Sequence, residues 1–426
     1  MRSRKDNIFH GIDWVLVLFY FVFIFLGWIN IYAATIINGN QSDILNFSTE
    51  YGKQLIWIGF SFPIILLILM FEAKFYEKYA SIIYGSSLLL LAGLFVLGKN
   101  INGSTSWYAI GSFSFQPSEI AKAATALAIA KLVSDKQFNL KKLSVQAQAL
   151  LLLFFPAALI IMQPDPGSAL VYTAFIFVLY REGLPFYYIT IGFIASFLFV
   201  ITLLLGYPVT LISASILFIC ILLFFIFYRL RAFKKGWIKI MGIYLVSVMF
   251  IFSVDFVFNQ VFEQHHRDRF NIILGKTVDT KGIGYNTNQS ITTIASGGFS
   301  GKGFLQGERT QGSFVPEQNT DYIFTTVGEE WGFLGSAFVI LLFVAFLLRI
   351  ISKAEEQKSK FSRIYGYSIV AIFFMHFVIN IGMVIGLIPT IGIPLPFFSY
   401  GGSALWGFTI LLFIFVRLDA NKTYEW

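Results

Sequence analysis

Residues 14–34 are WVLVLFYFVFIFLGWINIYAA, a run without a single charged side chain. An α-helix of about 20 apolar residues is long enough to cross the hydrocarbon core of a bilayer, which is about 30 Å thick. No small-residue cleavage pattern follows the run, so we expect a retained helix rather than a signal peptide. The run therefore predicts a transmembrane helix.

Apolar runs of similar length continue along the chain. Of its 426 residues, 57% are hydrophobic and only 13% are charged, whereas soluble domains have about 25% charged residues. This composition predicts an all-α integral membrane protein. We predict about twelve spans, at residues 14–34, 54–71, 79–97, 118–133, 147–162, 168–180, 186–205, 210–228, 237–258, 323–348, 364–388 and 403–417.

The net charge of +8 raises the question of nucleic-acid binding. However, most of the 31 Lys and Arg residues lie in alternate loops and at the ends of spans, including Arg229, Arg231 and residues 349–363. Membrane proteins keep such residues on the cytoplasmic side. We therefore predict no nucleic-acid partner, two cytoplasmic termini, and a long extracytoplasmic loop at residues 259–321.

We predict a single polytopic membrane domain over residues 1–426. The loop at 259–321 is too rich in Gly and Ser to pack a substantial core of its own. Irregular backbone at membrane depth survives only when it is buried in protein or lines a cavity, so we expect an outer cavity between this loop and the helices. The single cysteine, Cys220, lies in an apolar run, which excludes a disulfide framework and a thiolate metal site.

Two charged residues open the predicted span at 118–133. A charge at the centre of a membrane helix costs about 2.5 to 3.5 kcal/mol on insertion scales, so each one needs a partner or a function. Glu119 and Lys122 are three residues apart and share one helix face. Either they form a neutral pair that only stabilises the helix, or Lys122 meets an anion in a polar cavity while Glu119 holds it.

Two aspartates stand at the ends of apolar runs, and each has two interpretations. Asp165, in Gln163-Pro-Asp-Pro-Gly-Ser168, is either a helix cap in a tight turn or a functional carboxylate. Asp321 precedes the apolar residues of the next span. Apolar neighbours disfavour a charged carboxylate and so increase its affinity for a proton, which suits a general base. The alternative is that Thr320 or Asp321 caps the helix.

The loop at 259–321 also contains a glycine-rich segment, Ser296-Gly-Gly-Phe-Ser-Gly-Lys-Gly303. Glycines allow backbone N–H groups to approach a ligand closely, and Lys302 and Arg267 add positive charge, so the loop suits a phosphate; plain flexible turns are the alternative. The adjacent His265 and His266 lack a convincing third metal ligand. Near the end of the chain, the Pro-rich segment 388–403 is either a wall of a lipid-binding groove or a re-entrant packing element.

Five motifs in the same order resemble the SEDS family of shape, elongation, division and sporulation proteins, the RodA and FtsW group. They are Gln116-Pro-Ser-Glu-Ile-Ala-Lys122, Gln163-Pro-Asp-Pro-Gly167, Ser296-Gly-Gly-Phe-Ser-Gly-Lys-Gly303, Pro316-Glu-Gln-Asn-Thr-Asp-Tyr-Ile-Phe324 and Pro394-Leu-Pro-Phe-Phe-Ser-Tyr-Gly-Gly-Ser403. The resemblance implies a SEDS-type helical bundle with ten core transmembrane helices. It also implies a peptidoglycan glycosyltransferase of the bacterial cytoplasmic membrane that polymerises lipid II outside the membrane, with a class B penicillin-binding protein as transpeptidase partner.

The resemblance also implies roles for individual residues. The essential carboxylate of the family falls on Asp321, which we predict to be catalytic, and a functionally sensitive tryptophan falls on Trp107. Residues predicted to bind the substrate, lipid II and the nascent glycan, are Trp107, Glu119, Lys122, Asp165, Arg267, Lys302 and Ser403.

The chain departs from the family pattern in three places. Residues 104–106 are Ser-Thr-Ser where relatives often have basic residues, which puts a phosphate contact from that loop in doubt. Asn319 replaces the usual histidine before the Thr-Asp pair, so a ring nitrogen is not required there. The count of twelve spans exceeds ten, and the surplus is most simply an inserted transmembrane hairpin at 186–228.

Joining lipid-linked disaccharides requires a sugar hydroxyl to attack an anomeric carbon while a pyrophosphate departs. We expect Asp321 to accept the proton, with Lys122, Lys302 and Arg267 around the pyrophosphate. A divalent cation, Mg²⁺ or Mn²⁺, would fit between phosphates and a carboxylate, although the sequence assigns it no ligands. The alternatives are a precursor flippase, a scaffold for the transpeptidase, and a division-specific FtsW-type polymerase. The short tails favour the RodA side.

Overall fold

The computed structural model describes residues 11–36, 46–101, 103–111, 113–135, 138–227, 233–261, 267 and 284–422. The chain forms two compact units, one made of Met1–Pro185 and Asn286–Trp426 and the other of Phe186–Tyr285. Each unit is described by itself below.

The first unit consists mainly of long helices. Before the second unit they are α1 (Trp14–Thr35), α2 (Glu50–Met70), α3 (Ala73–Leu97), α4 (Pro117–Ser134), α5 (Leu143–Ile161), α6 (Pro166–Val171) and α7 (Phe175–Arg181). After it they are α11 (Gly284–Ser296), α12 (Glu308–Gln311), α13 (Ile323–Glu355), α14 (Lys360–Val384) and α15 (Gly402–Asn421). The segment 259–321 is thus partly helical rather than wholly irregular.

Local sequence explains where several of these helices begin. The Asp13 carboxylate accepts hydrogen bonds from the backbone N–H groups of Val15 and Leu16, at 3.0 and 3.2 Å, and so caps α1. Pro117 occupies the first turn of α4, where its missing N–H costs nothing because that group would have no partner within the helix. Side-chain caps and first-turn prolines thus mark helix starts that the sequence already indicates.

Ten helices in the described part of the chain are long and apolar enough to cross a membrane. They coincide with ten of the twelve predicted spans. The other two predictions also fall on helix: α4 carries Glu119, Lys122 and Lys131, and the span at 168–180 is divided into α6, a 3₁₀ turn and α7. The bundle of membrane helices is therefore confirmed, and the total of twelve stays a prediction.

A small antiparallel sheet accompanies the predicted helical bundle. Its strands, in the order β1-β2-β3, are β1 (Lys99–Ile101), β2 (Ser104–Ile110) and β3 (Phe113–Phe115). Gly103 and Gly111 have φ angles of 84° and 62°, a conformation that glycine adopts without steric cost at tight turns. The prediction missed the sheet because only apolar runs were used to assign elements.

The second unit contains α8 (Tyr187–Leu205), α9 (Tyr207–Phe227) and α10 (Phe233–Phe256), followed by a π-helical turn at Val257–Val261. Gly206 connects α8 to α9 with a φ of 80°. The Ser215 and Tyr244 hydroxyls are 2.8 Å apart and connect α9 to α10. The predicted hairpin at 186–228 corresponds to α8 and α9, and its status as an insertion into a single domain stays a prediction.

The most buried of the long helices lie at the centre of the first unit. Most residues of α14, α15 and α4 are buried. α4 packs against α14 and α15. This arrangement brings the motifs at 116–122 and 394–403 together with His376 of α14, although the three are far apart in sequence.

Candidate active site

Asp321 lies in the turn that leads into α13. That helix begins at Ile323, and its cap position is occupied by Tyr322, whose side chain makes no capping bond. The Thr320 hydroxyl bonds instead to the backbone carbonyl and side chain of Glu317, at 3.2 and 3.0 Å. The cap position therefore belongs to neither Thr320 nor Asp321.

The backbone of Asp321 is held by a side chain from α14. The amide nitrogen of Asn380, Nδ2, donates to the Asp321 carbonyl at 2.8 Å and to the Ile393 carbonyl at 2.7 Å. Asn380 has no exposed surface. One buried amide therefore joins the turn that carries the aspartate to the Pro-rich segment.

The Pro-rich segment lies directly beside the Asp321 carboxylate. A Cβ atom on Gly392 would be 3.3 Å from Asp321 Oδ2, and Gly392 has a φ of 79°. The Tyr400 N–H donates to the Asn319 carbonyl at 2.9 Å, and the Tyr322 and Thr390 hydroxyls are 2.7 Å apart. Several contacts thus make this segment one wall of the site.

Lys122 is completely buried in the first unit. Its ammonium nitrogen is 2.8 Å from Glu119 Oε1 and 2.9 Å from His376 Nε2, and it lies 5.4 Å from the centre of the Phe408 ring. The other oxygen of Glu119 has no hydrogen-bond partner among the described residues. The structure therefore shows the ion pair of the first alternative, with a histidine added, and the contact between Lys122 and an anion stays a prediction.

Asp165 and Ser403 both contact the start of α4. One oxygen of Asp165 accepts from the Ser168 N–H at 3.0 Å, which caps α6, and the other accepts from Gln116 Nε2 at 2.9 Å. The Ser403 hydroxyl accepts from the Gln116 N–H at 3.2 Å and donates to the Ser114 carbonyl at 3.0 Å. Both side chains are occupied by protein contacts, so their predicted substrate contacts stay predictions.

Trp107 lies in the middle of β2, opposite Lys99 of β1. Side chains alternate between the faces of a strand. Ser106 is buried, and the Tyr108 hydroxyl donates to the Leu90 carbonyl of α3 at 2.8 Å, so Trp107 is half-buried on the opposite face from these two. The Ser104 hydroxyl, also in β2, donates to the Gln163 carbonyl at 3.0 Å.

The glycine-rich segment inserts into α13 instead of surrounding a free cavity. α13 is interrupted at Gly332, where φ is 65°. The Lys302 and Gly303 N–H groups donate to the Glu329 and Glu330 carbonyls, both at 3.0 Å, while Phe333 and Leu334 donate to carbonyls of the segment. These loop bonds replace the bonds that an uninterrupted helix would form between the same residues. The N–H groups of Lys302 and Gly303 are therefore engaged within the protein, and contact between this segment and a phosphate stays a prediction.

Lys302 is paired with carboxylates of the first unit. Its ammonium nitrogen is 2.8 Å from Glu329 Oε1 and 3.5 Å from Glu308 Oε2. The hydrogen bond to Glu329 raises the pKa of Lys302 above its usual value, so the side chain stays charged at neutral pH. About a quarter of the Lys302 side chain is exposed, and contact with a phosphate stays a prediction.

The glycine-rich segment packs so closely against α13 that two neighbouring glycines should differ in their tolerance of a side chain. A Cβ on Gly297 would lie 2.0 Å from the Gly328 carbonyl oxygen, whereas a Cβ on Gly298 meets nothing within 4 Å, although its φ is 59°. We expect Gly297→Ala to destabilise the protein by about 3 kcal/mol or more and Gly298→Ala by about 1 to 2 kcal/mol. Thermal unfolding of the detergent-solubilised variants measures the difference. Equal losses would contradict this packing.

Arg267 belongs to the second unit, where its guanidinium donates to the Asn259 carbonyl at 3.2 Å. Its predicted phosphate contact stays a prediction. His265 and His266 lie outside the described residues.

The described residues contain no group of three or more His, Cys, Asp or Glu side chains close enough to hold a metal ion. A divalent cation at Asp321 would therefore have to take most of its ligands from substrate phosphates and water.

Comparison with known proteins identifies the family. The model of the cell cycle protein family that comprises FtsW, RodA and SpoVE matches residues 13–214 and 210–424. The chain belongs to this family. It is 29% identical to the peptidoglycan glycosyltransferase RodA of Treponema pallidum (strain Nichols), over 99% of this chain and 100% of the relative. It is 30% identical to the peptidoglycan glycosyltransferase MrdB of Escherichia coli (strain K12), over 88% of this chain and 86% of the relative.

Solved structures share the fold of this FtsW, RodA and SpoVE family member. A chain from a peptidoglycan synthase complex that coordinates polymerization and crosslinking is 24% identical, with a TM-score of 0.69 and coverage of 97% of this chain and 99% of the other. Thermus thermophilus RodA is 22% identical, with a TM-score of 0.61 and coverage of 97% and 98%. The chain is thus a RodA-like, multipass protein of the bacterial inner membrane.

Four buried polar residues of this family member were missed in the sequence analysis. His376 and Asn380 lie in an apolar run, where a single polar side chain gives little signal. Glu329 accepts five hydrogen bonds, from Ser296, Lys302, Arg309 and twice from Thr310. Glu330 is 1% exposed, and neither of its oxygens has an aligned hydrogen-bond donor among the described residues. The adjacent carboxylates of Glu329 and Glu330 lie within the predicted span at 323–348, and charge within a span is the signal that indicates them.

Proposed function

We propose that this chain is a peptidoglycan glycosyltransferase that polymerises lipid II into glycan strands on the outer face of the inner membrane, in cell elongation. The observation that carries the proposal is the placement of Asp321, held by Asn380 against Gly392 in a turn where it does not occupy the cap position. The names of the RodA and MrdB relatives support the reaction and the elongation role.

In the proposed reaction, the hydroxyl of one lipid-linked disaccharide attacks the anomeric carbon of another. A new glycosidic bond forms, the bond to the undecaprenyl pyrophosphate breaks, and Asp321 accepts the hydroxyl proton. A positioned base of this kind contributes about 10² to 10⁴ in rate. The carboxylate is partly buried and fixed at its backbone, and such a base requires little rearrangement when the hydroxyl arrives.

The departing pyrophosphate requires positive charge nearby. Lys302 suits this role because its pKa is raised and part of its side chain is exposed. We assign Arg267 to the same role on the sequence alone, because it lies in the loop predicted at 259–321. Lys122 is buried and paired, so we assign it to holding the site together, with contact to a phosphate only if His376 moves away.

We assign the remaining predicted site residues to two roles, connecting helices and binding a sugar. Asp165, Gln116 and Ser403 connect the start of α4 to α6 and α15. Trp107, on the sheet face opposite Tyr108, offers an aromatic surface to a sugar ring. Asp321 is then the residue that contacts the attacking hydroxyl and accepts its proton.

The proposed partner is a class B penicillin-binding protein that crosslinks the strands made here. One of the similar solved structures is described as a complex that coordinates polymerization and crosslinking, which supports such a partner. We place both termini in the cytoplasm and the loop at 259–321 outside, because most of the 31 Lys and Arg residues then lie on the cytoplasmic side.

A reconstituted assay tests this function. The purified protein, in complex with its transpeptidase, is incubated with fluorescent lipid II, and the products are separated by size. We expect long glycan strands that lysozyme degrades. If the complex makes no polymer, and the label instead crosses the bilayer of proteoliposomes, the polymerase proposal fails and the flippase alternative replaces it.

A further inference from the structure

Two buried polar side chains of α14 contact consecutive carbonyls of the Pro-rich segment. His376 and Asn380 are one helical turn apart and are 1% and 0% exposed. His376 Nδ1 is 3.1 Å from the Pro394 carbonyl oxygen, and Asn380 Nδ2 is 2.7 Å from the Ile393 carbonyl oxygen. Residues four apart on a helix lie on one face, so both point to the same strip of backbone.

The neighbours of His376 determine where its proton lies. An ammonium group has only hydrogen-bond donors, so His376 Nε2, at 2.9 Å from the Lys122 nitrogen, must accept. Nδ1 then carries the proton and donates to the Pro394 carbonyl. The ring is therefore neutral, with one defined tautomer, and it connects the Glu119–Lys122 pair of α4 to the Pro-rich segment.

Asn380 continues this connection to Asp321. Its amide nitrogen donates to the carbonyls of both Ile393 and Asp321. Its own carbonyl oxygen has no hydrogen-bond partner among the described residues. Only the two donors of the amide are in use, and both hold the backbone around the carboxylate.

We propose that His376 and Asn380 are positioning residues that fix the separation between Asp321 and the segment at 388–401. The proposal rests on the proposed function, because it assumes that the Asp321 carboxylate must reach a substrate hydroxyl. Gly392, whose added Cβ would approach the carboxylate to 3.3 Å, shows how little room the wall leaves. A displacement of about 1 Å at such a site costs about 10²-fold in rate.

Two substitutions of His376 separate its two contacts. An asparagine amide nitrogen falls near the position of Nδ1, so His376→Asn keeps the donor to Pro394 and loses the acceptor for Lys122. A glutamine amide falls near Nε2, so His376→Gln keeps the acceptor and loses the donor to Pro394. We expect His376→Gln to lower kcat by about 10- to 100-fold with KM within about threefold of wild type. We expect His376→Asn to keep kcat within about threefold.

Thermal unfolding of the same two variants provides the control for a purely structural role. His376→Asn removes a partner of the buried Lys122 ammonium, and loss of a partner to a buried charge is the more destabilising change. We therefore expect His376→Asn to be the less stable but the more active variant. If kcat instead follows the unfolding temperature, or if both variants keep full kcat, the positioning role is refuted.

The activity of Asp321→Asn is measured in parallel, in the full complex. It distinguishes a failure of the positioning role from a failure of the proposed function. If Asp321→Asn is inactive while His376→Gln has normal kcat, only the positioning role fails. If Asp321→Asn retains full activity, the assignment of the base fails, whatever the His376 variants show.

Discussion

Replacing Asp321 with asparagine is expected to reduce polymerisation of lipid II by about 10² to 10⁴-fold, the usual contribution of a general base. Asparagine has nearly the same shape as aspartate but cannot accept the hydroxyl proton. The bonds from Asn380 reach the backbone of residue 321, so they persist in the variant. We therefore expect kcat to fall while KM and the unfolding temperature stay close to wild type.

The control for this experiment is Glu308→Gln. Glu308, in the same segment at 259–321, has an 86% exposed side chain whose carboxylate lies 3.5 Å from the Lys302 ammonium nitrogen. Loss of an exposed ion pair costs at most about 1 kcal/mol, so Glu308→Gln should polymerise at nearly the wild-type rate. Equal kcat values for Asp321→Asn and Glu308→Gln would show that Asp321 is not the base.

The membrane helices could be predicted from the sequence because burial in lipid selects apolar residues along a whole helix. Within the described ranges, all ten helices that are long and apolar enough to span a membrane coincide with predicted spans. The other two predicted spans also fall on helix, one on α4, which carries three charged residues, and one on α6 and α7, which a 3₁₀ turn separates. The apolar criterion misses the sheet at 99–115, because its strands are too short to give an apolar run.

Sequence spacing predicts contacts within the candidate site only between residues of the same helix. The pairing of Glu119 with Lys122 follows from helix geometry, and the structure shows it at 2.8 Å. The histidine that completes this pair comes from α14, 254 positions away, and no local pattern indicates it. A single sequence contains no information on which distant helices meet.

The glycine-rich segment shows a second limit of prediction from sequence. Its glycines were predicted to allow a close backbone approach, and the structure shows such an approach by the backbone of α13. Gly301 would place a Cβ 2.2 Å from the Glu330 carbonyl oxygen. Composition indicates that something lies close to a glycine, but it does not identify that neighbour.

Lys122 either forms an ion pair that only stabilises the protein or binds a substrate phosphate, and these two interpretations predict different effects of its replacement. Its ammonium is fully buried, and removal of one member of a buried ion pair costs about 3 to 5 kcal/mol because the other charge is left uncompensated. We expect Lys122→Met to lose stability on this scale, since Glu119 would stay buried without its partner. The unfolding temperature in detergent measures the loss.

The double variant Glu119→Gln with Lys122→Met removes both charges together, so we expect it to recover at least half of the stability that Lys122→Met loses. The same double variant distinguishes a neutral pair that only supports the site from a Lys122 ammonium that binds a substrate phosphate. If the pair only supports the site, through His376 and the Pro394 carbonyl, KM for lipid II should stay within about threefold of wild type. A stable double variant with KM raised tenfold or more, equivalent to about 1.4 kcal/mol of binding, would instead mean that the Lys122 ammonium leaves Glu119 to meet a substrate phosphate.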